Sequence, residues 1–334
     1  MRRPEWAPIA GLLALAACGP VEPPGPGEPA VEIVVPSGST FSAVTDSLAA
    51  HDLIGNRTLF RALARIRRID RSVKAGLYRF PPDAGTWTAL DLLARGKTAT
   101  VRFTVPEGLT LLDVADLARE QLGLAREDVL AAARDRALVD SIAPGAPSLE
   151  GFLFPETYLL PANVTAPVLV RAMVDGFRAA WPPAWDARLD SLGLSRLALV
   201  TLASIVEGEA KEDSEREVIA GVYWNRLRIG MALQADPTVQ YAIQLRTGRR
   251  KPRLLEVDYR IDSPYNTYLH AGLPPAPVLS PSRRSLEAAL YPAEVPYLFF
   301  VAGPDGRHTF TRTYEEHLRA VAEARREFMK ERAR

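Results

Sequence analysis

The chain has one cysteine, Cys18, in 334 residues, so no internal disulfide can staple its fold. Histidine is scarce as well. His51, His270, His308 and His317 are scattered, without the i, i+4 pair or the Cys partners that zinc sites use, which leaves metal catalysis without support and implies no cofactor. There is no Gly-x-Ser-x-Gly elbow to suggest a serine hydrolase. No block of like charge occurs: acidic and basic residues are interspersed and the formal net charge is +1, so nothing in the chain favours a nucleic-acid partner. No internal repeat is visible. What remains is a chain 47% hydrophobic and 24% charged, an ordinary globular composition with length for two or three domains.

The first informative segment is the N-terminus, "MRR" followed by an apolar stretch ending "LALAACGP". A transmembrane helix needs roughly 20 apolar residues, and this stretch is shorter, as in the charged and apolar regions of a secretory signal. Leu15-Ala16-Ala17-Cys18-Gly19 resembles a bacterial lipobox, in which the Cys becomes the lipidated first residue. The competing reading is an uncleaved helical anchor over residues 1–18. Either reading places the rest of the chain outside the cytoplasm, tethered to a membrane. Residues 19–31, "GPVEPPGPGEPAV", are too rich in Pro and Gly to pack a core and read as an extended linker.

The pattern after the linker predicts an α+β fold. Val31 to Val35 is a β-branched strand, "PSGST" a turn, and Phe41, Val44, Leu48 and Leu53 fall near helical spacing. This small module, residues 32–95, loosely resembles a LysM unit, with a purely structural α/β module as the alternative. "AGLYRF" and "ATVRFTVPEGLT" read as strands around the helix "TWTALDLLARG", closed by Gly96. The larger α+β part, 96–334, continues with "LEGFLFPETYLLP", a core-lining turn containing Glu150 and Glu156, and with helical pattern from Ala166 to Trp185 and again from Ser195.

In that second stretch, "LALVTLASIVEGEAKEDSERE", residues Leu197 to Val206 are apolar all round except Thr201 and Ser204, which marks a buried helix. A carboxylate follows directly, at Glu207. It could pair with Lys211 at i+4, worth about 0.2–0.5 kcal/mol; it could be a buried structural carboxylate; or, held against apolar walls, it could have the raised pKa of a catalytic acid. Glu209 points about 200° away on the helix and is not expected to share its site. Further along, Asn225, Arg226, Gln234, Asp236 and Thr238 gather around a Gly-Met break, and Tyr265, Asn266, Thr267 and Tyr268 sit in a Pro- and Gly-rich loop. Rings beside amides and hydroxyls suit sugars, although such loops are also plain surface.

"LASIVEGEA", "NRLRIGMALQADPTVQYA", "SPYNTYLHAGLPPAPVLSPS", "LEAALYPAEVPYLFFVAGPDGRHTFTRTYEEH" and "EGFLFPETYLLP" resemble, in wording and order, the MltG or YceG-like endolytic murein transglycosylases over roughly residues 32–325. The resemblance implies Glu207 as catalytic acid and a glycan cleft lined by Gln234, Asp236, Thr238, Tyr265, Asn266, Thr267 and Tyr268, and Glu150 is expected to bind substrate with them. It also implies peptidoglycan glycan strands as substrate, peptidoglycan synthases as partners, and a catalytic domain in the periplasm or on the outer face of the cytoplasmic membrane. Val278 stands where the family usually has Ile, and the lipobox-like ending stands where the family typically has one transmembrane helix. Two rivals remain. A hydrolytic muramidase would need a second carboxylate, Asp236 or Glu150; a non-catalytic peptidoglycan-binding lipoprotein would need none.

Overall fold

The computed structural model describes residues 22–332 apart from Pro26, Ser37, Gly38 and Lys97. Cys18 and the lipobox-like segment lie outside the described residues. Among those described, no single helix is long and apolar enough to cross a membrane. The chain divides into two units, one ending at Val101 and taking in Pro161–Asn163, the other formed by Arg102–Leu160 and everything from Val164 onward.

The first unit runs β1 (Val31–Val35), α1 (Phe41–Ala50), α2 (Arg57–Ile66), β2 (Gly76–Phe80) and α3 (Gly85–Arg95). Thr40 and Asn56 start α1 and α2 by accepting from the backbone N–H groups of Ala43 and Leu59, the capping chemistry expected of such side chains. The two strands pair antiparallel, Val31 opposite Phe80 and Val35 opposite Gly76. Alternation then puts Ile33 and Val35 with Tyr78 and Phe80 on the inner face, where Leu48, Leu53, Phe60, Leu90 and Leu93 complete a core.

Strand β3 (Thr100–Thr104) pairs with β4 (Thr157–Pro161). Helices α4 (Leu111–Leu122), α5 (Arg126–Ala132) and α6 (Arg136–Asp140) lie between these strands in sequence. After β4 come α7 (Ala166–Ala180), α8 (Pro183–Leu192), α9 (Arg196–Glu209), α10 (Arg216–Arg228), α11 (Asp236–Thr247) and α12 (Arg283–Leu290). A hairpin of β5 (Phe299–Ala302) and β6 (His308–Thr311), then α13 (Tyr314–Arg332), end the described chain. The fold is α+β, as the pattern predicts. The helical stretch expected from Ala166 to Trp185 is two helices, because Pro182 and Pro183 break the ladder after Trp181.

Helix α9 is the axis of the second unit and packs against α8, α10, α11 and α12. Leu199 to Val206 are all buried. Its two buried hydroxyls are satisfied, Thr201 donating to Leu197 O and Ser204 to Thr201 O, while Ser204 Oγ accepts from Val278 N. The "EGFLFPETY" segment is a core-lining turn: Phe152 is fully buried against Phe177. Gly151 has φ +80°, and a Cβ there would come within 2.4 Å of Pro277, so only glycine allows the turn to close on the proline-rich loop.

Candidate functional site

The C-terminal turn of α9 carries Glu207 and Glu209, and the two side chains are held on different sides of the helix. Glu207 Oε2 accepts from the backbone N–H of Ser282 at 2.9 Å and from its hydroxyl at 2.5 Å. Ser282 is the N-cap of α12, so the carboxylate sits at the positive end of a helix. Arg216 Nη1 lies 3.2 Å from the same oxygen, with both side chains under a tenth exposed. Arg216 is held in turn by Asp213 and Ser285. Glu207 is therefore nearly dry, as expected, but its carboxylate is held by an ion pair and hydroxyl and backbone donors where apolar walls were expected. Through Arg216 and Ser282 this carboxylate joins α9, α10 and α12.

The raised proton affinity considered for Glu207 is found at Glu209. Its Oε1 accepts from the Tyr223 hydroxyl at 3.1 Å, and the backbone N–H of Asp236, at the start of α11, donates to its carboxyl. Burial chiefly, then the neighbouring charge of Asp236, pushes the Glu209 carboxyl up to about 7, against the opposing pull of the Tyr223 and Asp236 donors and the Arg226 charge. Gly208 lets α9 and α11 meet here: a Cβ on it would come within 2.5 Å of Pro237 Cγ.

Glu209 opens onto a cleft of about 550 Å³ whose lining includes Gln234, Asp236, Tyr259, Tyr268 and Phe299. Asp236 accepts from the Tyr268 hydroxyl at 2.7 Å and, more weakly, from that of Tyr259 at 3.4 Å, the two rings lying 4.5 Å apart. Burial first and the Asp236 charge second raise both phenols, Tyr259 to about 12 and Tyr268 further, so both remain proton donors near neutral pH. Gln234 adopts φ +51°, a left-handed conformation uncommon for this residue, and its side chain is exposed in the cleft. Its backbone is pinned there by the Gln234 N–H to Thr267 O bond. Sustained backbone strain of this kind is often associated with function.

Of the residues singled out from sequence, the structure thus brings Gln234, Asp236 and Tyr268 together with Glu209 in one cleft. The others serve different places. Thr238 and Thr267 are buried, sharing a hydroxyl–hydroxyl bond of 2.9 Å, and Thr267 Oγ1 accepts from Ala235 N. Asn266 is fully buried and donates to the carbonyls of Tyr259 and Ile261. Among the described residues these three are buried and spend their hydrogen bonds on the loop and the start of α11. Tyr265 stacks edge-on with Tyr241, 4.9 Å away, on the side where Glu150 lies. Glu150 is outside the cleft lining altogether, 2% exposed, with its two oxygens accepting from Leu111 N at the start of α4 at 3.0 and 3.1 Å. Burial pushes its carboxyl up to about 8. Asn225 and Arg226 also use their donors internally, Asn225 on the carbonyls of Val295 and Tyr297 and Arg226 on those of Leu298 and Leu233.

Sequence reasoning missed Tyr223, Tyr259, His317 and Arg325, of which the last two enter the cleft lining from α13. Tyr223 had a legible signal, since it stands on α10 amid buried apolar positions, where a phenol needs a partner. The approach of α13 had none.

A helical scaffold with small antiparallel sheets, carrying a carboxyl of raised pKa in an open polar cleft, has the form of a general-acid enzyme. The YceG-like family matches residues 33–323, and the chain belongs to that family. It is 32% identical over 308 residues to the endolytic murein transglycosylase of Bacillus subtilis (strain 168), covering 87% of this chain and 83% of that one. The endolytic murein transglycosylase of Streptococcus pneumoniae serotype 2 (strain D39) is 30% identical over 322 residues, and the match covers 88% of this chain but only 58% of that longer protein. A crystal structure of a yceG-like protein from Listeria monocytogenes superposes with a TM-score of 0.60 at 32% identity, covering 87% of this chain and 98% of the other.

Proposed function

We propose that this chain is an exported, membrane-anchored lytic transglycosylase that cuts peptidoglycan glycan strands internally, between N-acetylmuramic acid and N-acetylglucosamine, and so limits the length of nascent strands beside their synthases. The observation that carries the reading is Glu209, a carboxyl held near pKa 7 at the edge of a cleft that also presents Gln234, Asp236 and Tyr268. The names of the relatives point the same way.

Glu209 takes the catalytic role that the sequence reading assigned to Glu207. Protonated when the glycan arrives, it gives its proton to the glycosidic oxygen as the bond from muramic acid C1 breaks, and the glucosamine O4 departs as a hydroxyl. The resulting Glu209 carboxylate removes the proton from the muramic acid C6 hydroxyl as O6 closes on C1. A 1,6-anhydro ring forms, Glu209 regains its proton and no water is consumed. Tyr223 and the Asp236 N–H hold the carboxyl in place, and the Asp236 charge keeps its proton affinity high. Gln234, strained and exposed, offers both a donor and an acceptor to an N-acetyl group. The strand–helix–helix–strand order of the first unit supports reading it as a LysM-like, glycan-holding module.

One observation favours a second reading. Glu209 and Asp236 line one cleft, and two carboxylates are what a hydrolytic muramidase uses. Mass spectrometry of muropeptides released from purified sacculi separates the two. Chain ends lighter by one water are expected; reducing ends would make the protein a muramidase, and no release would make it a binder.

A further inference from the structure

Helix α13 supplies one side of the cleft through His317, Val321 and Arg325. The His317 ring stacks on Phe299 at 5.3 Å, and its Nδ1 is buried without a partner. Among the described residues neither of its ring nitrogens makes a hydrogen bond. Buried N–H groups are almost always paired, so the neutral ring keeps its proton on Nε2, leaving a donor for the cleft. Burial first, then the Arg226 charge, depress the imidazole's proton affinity and hold it neutral near pH 7.

Arg325 stands about 12 Å further along the same helix, at roughly 1.5 Å per residue. It has no ion-pair partner among the described residues. Arg253 joins it around an adjoining hollow with Phe328 and Met329, so two guanidinium groups share that end without a paired acid. The cleft is thus acidic where Glu209 and Asp236 stand and cationic where α13 ends. A neutral amino-sugar polymer has no use for that cation. Muramic acid does, because its lactyl substituent ends in a carboxylate or carries a stem peptide that has them.

We propose that α13 is the carboxylate-reading wall of the glycan cleft: His317 donates from Nε2 to the substrate's N-acetyl carbonyl, and Arg325 pairs with a carboxylate of the lactyl or peptide substituent. This rests on the glycan-cleaving reading of the site. Its test is steady-state cleavage by the full chain of purified glycan strands with free carboxyl groups and of the same strands after chemical amidation. Wild type should favour the free-carboxyl strands. Arg325→Ala should raise KM about tenfold on those strands and leave KM on amidated strands unchanged. His317→Ala should lower kcat/KM about tenfold on both, with His317→Gln, which can present an N–H at a similar reach, restoring most of it. Equal cleavage of both strands by wild type, with both alanine variants unchanged, would overturn the inference while leaving the glycan-cleaving reading intact. A wild type that cleaves neither would remove both.

Discussion

Glu207 and Glu209, two positions apart on α9, are engaged on different sides: one accepts from Ser282 at the α12 N-terminus beside Arg216, the other from Tyr223 beside the α11 N-terminus. Only the second lines the cleft. Helical geometry demands this divergence, since residues two apart differ by about 200° around the axis.

Substituting each with glutamine should therefore give opposite phenotypes. Glu209→Gln retains the shape and removes the transferable proton, so cleavage should fall by about 10²- to 10⁴-fold with little change in melting temperature. Glu207→Gln strips Arg216 of a buried partner, which costs about 3–5 kcal/mol when nothing replaces it; Asp213 and Ser285 soften that, so a loss of about 2–3 kcal/mol is expected. Thermal unfolding measured beside turnover decides the matter. Lost turnover in Glu207→Gln at full stability would return the acid role to Glu207.

The pH profile should show the same group. Glu209 must be protonated to act first as an acid, so activity should hold below about pH 7 and decline above it. Asp236→Asn removes the negative charge that helps to raise the Glu209 carboxyl. Glu209 should then ionise more readily, and the alkaline limb of the profile should move to lower pH while anhydro ends still form. An unmoved limb would mean that Asp236 has no electrostatic hold on Glu209; reducing ends in the wild type would mean a two-carboxylate mechanism.

The helices were largely legible in sequence because many are declared locally, by caps such as Thr40, Asn56 and Ser195 or by apolar periodicity. The site was legible as a region and less so in detail. "SIVEGE" announces two carboxylates at a helix end, but which of them meets the cleft depends on where α11 and α12 arrive, and Pro237 and Ser282 are far along the chain. The "YNTY" loop is a similar case: its successive side chains split between the cleft at Tyr268, the loop interior at Asn266 and Thr267, and the Glu150 side at Tyr265. A polar residue in a loop carries no mark of whether its hydrogen bonds are already used. His317 and Arg325 look like ordinary surface residues of a charged helix until the β5–β6 hairpin brings α13 to the cleft.

Gln234 tests whether strain serves the site. Glycine tolerates φ +51° without penalty, so Gln234→Gly should leave stability unchanged or raise it by up to about 1 kcal/mol. Turnover should nevertheless fall, and Gln234→Ala should lose it without the stability gain. Full activity in the glycine variant would mean that the side chain touches no substrate, and its exposure in the cleft would have no catalytic meaning.

Glu150 gives the complementary case of a perturbed carboxyl that serves the fold. Its folded-state pKa, about 8, stands above the ordinary 4.5, so in the window between these values the folded state binds more protons than the unfolded state. Stability attributable to this group is therefore present below about pH 4.5 and declines as pH rises to about 8. Glu150→Gln keeps an oxygen for the Leu111 N–H and cannot ionise, so urea denaturation across this range should show a flatter pH dependence, with near-normal cleavage at neutral pH. Glu150→Ala leaves that buried N–H unpaired and should cost about 1–3 kcal/mol at every pH. A cleavage loss in Glu150→Gln as deep as that expected for Glu209→Gln, at unchanged stability, would place Glu150 in the chemistry as the second carboxylate and revive the muramidase reading.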